Sequence, residues 1–126
     1  MNIFTRFLSQ KHDNNHNLQN FITHWDELEA LVIHIYRQKQ ADTTAQQTYH
    51  RLHHWLSQHY DHWRQPLIPH WQASRVGHTP TQQDPFAFII QHDHADQFVD
   101  NWAVMQHLPA AREALNHLIL AQEEDS

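Results

Sequence analysis

Residues 18–40 have the sequence LQNFITHWDELEALVIHIYRQKQ, in which apolar side chains recur at three- and four-residue spacing. This is the period of an α-helix, and Asn17 stands where a capping residue is expected. The apolar residues are Leu18, Phe21, Ile22, Trp25, Leu28, Leu31, Val32, Ile33, Ile35 and Tyr36. They cover more than half of the helix circumference, so the pattern predicts a central helix that contacts more than one neighbour.

A second helix is predicted from Ala45 to Trp63. Its apolar face consists of Tyr49, Leu52, Leu56, Tyr60 and Trp63. Pro66 and Pro69 follow, and neither proline can donate a backbone hydrogen bond within a helix. We therefore predict that the helix ends before them, and that only a short helix or turns come next.

Asp84 followed by Pro85 predicts another helix start, because a carboxylate caps backbone N–H groups and proline suits the first helical position. Two apolar sets follow, Phe86, Ile89 and Ile90 on one face and Ala95, Phe98, Val99, Trp102 and Met105 on a face about 150° away. One straight helix cannot bury both sets. We predict a break at His92–His94 with Asp93 as the cap, and a further helix that buries the second set.

The fold class follows from these periods and from the scarcity of glycine. Gly77 is the single glycine, whereas β-hairpins and sandwiches need residues with positive φ at many turns. We predict an all-α fold, a compact bundle of about four main helices plus one or two short helices, with a last helix from Pro109 to about Glu123. The chain length of 126 residues suits a single domain, 1–126. Residues 1–17 are expected to form an N-terminal arm and polar linker, and the arm either docks on the body or seeks a partner.

Composition limits the classes of function. The absence of cysteine excludes disulfides and thiolate metal sites, and the chain has neither a secretory signal pattern nor an apolar run of the ~20 residues that span a membrane. We expect a soluble, cytoplasmic protein that does not enter the membrane. The eight Lys and Arg residues are scattered and the formal net charge is −6, which argues against a nucleic-acid partner.

Histidine is unusually frequent, with 15 residues in the chain. His50 and His54 are one helical turn apart, so they are the candidate metal ligands, for zinc or nickel. No third ligand is evident, and Arg51 occupies the position where a zinc-protease motif has glutamate. The alternative is a compositional preference, since the chain also has 15 Gln, 7 Asn and only two Lys. No cofactor is predicted beyond that open possibility.

A candidate binding surface for a ligand or partner lies around His70, Trp71, Arg75 and His78. Aromatic and arginine side chains occur here in an irregular segment that also contains Gly77, and such segments often build binding surfaces. The alternative is that Trp71 closes the core and that Arg75 is solvated. His24 lies inside the apolar arc of the first helix, which predicts an imidazole largely withdrawn from water.

Catalytic motifs are missing from the sequence. No serine stands in a nucleophile-elbow motif, there is no cysteine, and one glycine is too few for a phosphate-binding loop. The leading hypothesis is a non-enzymatic helical interaction or accessory protein that acts through contacts with a protein partner or through self-association. The alternative hypothesis is a helical protein that binds a metal or small ligand through histidine. An enzyme of another type stays open.

Overall fold

A computed structural model describes the backbone of residues 3–72 and 83–124, and the side chains of residues 17–72 and 83–123. Over these ranges the elements are α1 (Ile3–Gln38), α2 (Thr43–Gln72), α3 (Pro85–Ile90), a 3-10 helix (Ala95–Phe98) and α4 (Trp102–Glu124). No strand occurs in these ranges. The predicted all-α class and the bundle of helices are confirmed.

α1 contacts more than one neighbour, as its wide apolar arc predicts, but the central helix is α2, which packs against α1, α3, the 3-10 helix and α4. α1 packs on α2, and α4 packs on both α2 and α3. Phe21 of α1 is fully buried, and its ring centroid lies 6.3 Å from both Tyr60 and Trp63 of α2 and 6.4 Å from Phe86 of α3. Such aromatic clusters bury a large area per residue. This cluster joins three helices at one point.

α1 differs from the prediction at its start. The helix begins at Ile3, so the break expected at Asn17 is absent and residues 9–17 have helical backbone. This polar run contains neither proline nor glycine. Each of its residues is less favourable in a helix than alanine by only about 0.3–0.7 kcal/mol. The side chains of residues 3–16 lie outside the described residues, so the role of residues 1–17 as an arm stays a prediction.

α2 is longer than predicted, because it continues through Pro66 and Pro69 to Gln72. An interior proline costs about 3 kcal/mol, largely through one lost hydrogen bond and a ring clash. Leu67 and Trp71 lie on the same face as Trp63, and both are buried. Burial of each large apolar side chain gains about 1.5–3 kcal/mol, which offsets the cost of the prolines.

The predicted helix start at Asp84 is confirmed. Asp84 Oδ1 accepts hydrogen bonds from the backbone N–H groups of Phe86 at 3.0 Å and Ala87 at 3.2 Å. The break after α3 is also present, but the cap of the 3-10 helix is His94 rather than Asp93. The His94 N–H donates to Gln97 Oε1 at 2.8 Å.

The predicted boundaries of the last two helices are wrong. The 3-10 helix ends at Phe98, and α4 begins at Trp102 and continues through Pro109. Asp100 has φ 56°, in the left-handed region that Asp tolerates, and this residue turns the chain before α4. The turn changes the helical phase, so Ala95 and Phe98 are buried as expected whereas Trp102 is 63% exposed.

Candidate interaction surface

An apolar groove lies between α1 and α4, and we call it the Trp102 groove. It encloses about 400 Å³ and is open to solvent. Its apolar lining consists of Ile33, Tyr36, Trp102, Met105, Leu108 and Pro109, and its charged rim consists of Glu29, Arg37 and Arg112. An exposed apolar surface with a polar rim is typical of a binding site for protein or ligand.

Trp102 is held in position at the first residue of α4. The neighbouring Asn101 donates from Nδ2 to the carbonyl of Gln97 at 2.9 Å and accepts at Oδ1 from the N–H of Val104 at 3.4 Å. The Trp102 ring centroid lies 6.5 Å from that of Tyr36. Because the backbone on both sides is fixed, an indole at this position presents a large apolar surface with little ordering cost on binding.

Arg112 joins the two helices along one side of the Trp102 groove. Its Nε lies 2.9 Å from Glu29 Oε2, and one of its terminal nitrogens lies 2.6 Å from Asp26 Oδ1. Burial lowers the pKa of Arg112, but the hydrogen bonds to Glu29 and Asp26 outweigh that effect and raise the pKa overall. The positive charge of Arg112 is therefore balanced by carboxylates of the same chain. Arg37 is exposed and has no ion pair within the described ranges, so it is the uncompensated cation of the rim.

The predicted binding residues near the end of α2 are in part buried. Trp71 is 5% exposed and belongs to the core, which favours the alternative that it closes the core. His70 is half-buried, and its ring centroid lies 6.1 Å from that of His117 on α4. Arg75 and His78 lie outside the described residues. A binding role for this segment stays a prediction.

His70 and His117 give a prediction on pH. Burial lowers the pKa of His70 from its usual 6.5, and the charge of His117 lowers it further. The unfolded chain then binds this proton at higher pH than the folded protein, so the free energy of unfolding decreases as pH falls through about 6.5. The loss of stability due to His70 is absent well above that pH, and it is complete below the pKa of His70 in the folded protein.

Substitution of His117→Gln is expected to raise the pKa of His70 towards 6.5 and to reduce the loss of stability in acid. NMR titration of His70 and urea midpoints across the same pH range would measure both effects. A His70 resonance that titrates at or above 6.5 in the parent, or that does not move in the variant, would contradict the prediction.

The candidate metal ligands His50 and His54 are both exposed on α2. His50 lines a separate cleft of about 180 Å³, together with Asp93, His94 and Asp96. Among the residues that the structure describes, however, no group of three or more His, Cys, Asp or Glu side chains has an arrangement that suits a metal ion. A zinc or nickel site at His50 and His54 stays a prediction without a third ligand.

Several histidines have a structural role instead. His24, His59 and His107 each place Nδ1 2.7 Å from the carbonyl oxygen four residues earlier. A carbonyl can only accept, so Nδ1 carries the proton in each ring. His24 and His59 also stack on the two sides of Trp55, with ring centroids 3.8 Å and 4.0 Å away. His24 is half-buried, so the predicted withdrawal of its imidazole from water is partial.

The Trp102 groove is missing from the sequence prediction, because Trp102 was assigned to a buried face. One local signal points to the correct arrangement. Asn101 is a favourable N-cap residue, and it follows Asp100, which tolerates a left-handed backbone. Together they favour a helix start at Trp102 over a continuous helix from Ala95, and a helix that starts there has a different buried face.

Comparison with known proteins finds no matching family, no similar curated protein and no similar solved structure. None of the described helices combines the length and apolar character needed to cross a bilayer. The geometry and chemistry of the Trp102 groove are therefore the basis for assigning a function.

Proposed function

We propose that this protein is a non-catalytic helical interaction protein that binds a protein partner through the Trp102 groove. The observation that supports this most directly is Trp102 itself, 63% exposed on a fixed backbone within an apolar groove. Tryptophan and arginine are the residue types that most often anchor protein interfaces. A cytoplasmic location is part of the same proposal, since the chain lacks cysteine.

The lining of the groove suggests what the partner presents. An apolar side chain would pack against Trp102, Tyr36 and Met105, which removes the exposed indole from water. A carboxylate beside it would pair with Arg37. Because Arg112 is paired with Glu29 and Asp26, Arg37 is the one uncompensated cation among the described rim residues. One positive charge is too few to neutralise a phosphate backbone, so the groove suits a protein segment better than a nucleic acid.

The same residues argue against catalysis in this groove. Among the described residues of its lining, Glu29 is the only carboxylate and is held by Arg112 at 2.7 Å, and no histidine, serine or cysteine occurs there. A general base or a nucleophile would need one of these groups free to meet a substrate. The groove offers apolar contact and charge complementarity, which are properties of a docking surface.

Site-specific photo-crosslinking in the protein's own cells tests this proposal. A photoreactive benzoyl-phenylalanine replaces Trp102 in one variant and Ser57 in the control, because Ser57 is exposed on α2 and does not line the groove. We expect a protein adduct at position 102, identified by mass spectrometry, at several times the yield at position 57. Adding Arg37→Glu should lower the yield at position 102. No protein adduct at 102, or equal yields at both positions, would overturn the proposal.

A further inference from the structure

We infer that the partner at the Trp102 groove is a second copy of this chain, bound through an antiparallel, twofold-symmetric contact between the two α4 helices. This inference rests on the proposed function and adds the identity of the partner.

Two large apolar side chains on α4 are exposed at positions that share one face of the helix. Trp102 and Leu120 are the large hydrophobic residues with the greatest exposure in the described ranges, at 63% and 56%. They are eighteen positions apart, which corresponds to about five turns of an α-helix and a rise of about 27 Å. They therefore lie on the same face of α4, near its two ends.

A twofold axis can bring Trp102 of one copy level with Leu120 of a second copy. If the axis passes between the two α4 helices at the level of Ala111, midway along the chain from Trp102 to Leu120, each helix runs antiparallel to its copy. Trp102 of one copy then lies level with Leu120 of the other, and the same contact repeats at the opposite end. A symmetric interface of this kind brings identical patches together, so both exposed side chains of each copy become buried.

The ends of the same contact also bring opposite charges together. Glu123 follows Met105 by the same eighteen positions, so it lies on the groove side of α4. Glu123 is exposed and has no ion pair within the described ranges, as is the case for Arg37. The antiparallel register places Glu123 of one copy beside the groove end where the other copy has Arg37. Each dimer would contain two such ion pairs.

The centre of the contact limits its strength. Glu113 lies close to the axis, with its Oε1 3.9 Å from Nε2 of His117, and the register brings the two Glu113 carboxylates near each other. Like charges at an interface oppose association. A stable interface needs about 800 Å² per partner, roughly a tenth of the 7883 Å² surface of one chain, so the contact has to include the groove edge as well as α4. α4 and the groove edge extend over about 34 Å.

Sedimentation equilibrium of the full-length protein tests the contact. The expected mass is twice 15.2 kDa at high concentration, with a dimer–monomer equilibrium on dilution. Trp102→Ala and Leu120→Asp should each weaken association by at least about thirtyfold, as expected for anchor residues. The matched control is Ala103→Asp, because Ala103 is exposed on α4 about 100° away from Trp102. The control should dimerise as the parent does.

A charge exchange tests the register. Arg37→Glu and Glu123→Arg should each weaken the dimer by about four- to twenty-five-fold, because each substitution removes both ion pairs of the dimer and one exposed pair usually contributes about two- to fivefold. The double variant should recover most of the loss. Glu113→Gln should strengthen the dimer, because it removes the repulsion at the axis. A double variant as weak as the sum of the single variants, or a Glu113→Gln variant that dissociates more readily, would overturn the antiparallel register.

The outcomes separate this inference from the proposed function. A mass of 15.2 kDa up to about 1 mM, or a dimer that Trp102→Ala and Leu120→Asp leave unchanged, would overturn the second copy as partner. If position 102 then still forms an adduct with a different protein, the proposed function stands and the inference fails. If position 102 forms no protein adduct at all, both fail.

Discussion

Replacement of Asp84 by alanine is expected to lower the free energy of unfolding by about 3 kcal/mol and the melting temperature by about 10 °C. The Asp84 side chain, 10% exposed, joins α2 to the start of α3. It caps the N–H groups of Phe86 and Ala87 and accepts the Tyr60 hydroxyl at 2.6 Å and 2.8 Å. Arg64 Nε lies 3.4 Å from the same carboxylate.

Two physical terms make up this loss. An N-cap residue contributes about 1 kcal/mol, and a buried hydroxyl left without its acceptor costs about 1–3 kcal/mol. Burial and then the hydrogen bond to Asp84 raise the pKa of the Tyr60 hydroxyl, so it keeps its proton and donates. Urea titration followed by far-ultraviolet circular dichroism measures the change.

Tyr60→Phe is the control for the Asp84 prediction. It removes only the donor, and Asp84 keeps its backbone partners, so the expected loss is about 1 kcal/mol. In the Tyr60→Phe background, Asp84→Ala should cost less than it does in the parent, because no hydroxyl is left without an acceptor. Strictly additive losses, or an Asp84→Ala loss below about 1 kcal/mol, would contradict the assignment.

The sequence predicted the fold where local signals and packing agree. The spacing from Leu18 to Tyr36 predicted a helix with several neighbours, although α2 is the central one. Asp84 with Pro85 predicted the start of α3, since capping depends on residues a few positions apart. Helix ends at prolines were predicted less well. Pro66, Pro69 and Pro109 all lie inside helices, because the helix on both sides of each proline is held by tertiary burial that local propensity does not contain.

The candidate site was harder to predict for a related reason. Whether Trp102 is buried or exposed depends on the helical phase of α4, and that phase is set by the backbone at Asp100. One residue of positive φ thus decides which side of a 23-residue helix faces the core. The groove itself needs α1 and α4 side by side, a pairing that no sequence pattern specified.

Replacement of Arg112 by methionine is expected to cost about 2 kcal/mol, the second-largest effect among the predicted stability changes. Methionine keeps most of the side-chain length but removes the bonds to Glu29 and Asp26 that join α4 to α1. Glu29, whose side chain is only 17% exposed, would lose its charged partner in a partly buried position. Leaving a partly buried carboxylate unpaired is the costly part of the change.

The matched control for Arg112 is Arg51→Met, because Arg51 also pairs with a glutamate, Glu27, at 3.1 Å, but with side chains 59% and 48% exposed. An exposed pair contributes about 0–1 kcal/mol, so this control should be nearly as stable as the parent. Adding Glu29→Gln to Arg112→Met should recover part of the loss, since the orphaned charge is then removed.

Because Arg112 and Glu29 also form one rim of the Trp102 groove, dimerisation should weaken in Arg112→Met and stay unchanged in Arg51→Met. Equal losses of stability in the two variants would mean that water screens the Arg112 network as fully as it screens an ordinary surface ion pair, and the groove would then need another source of rigidity.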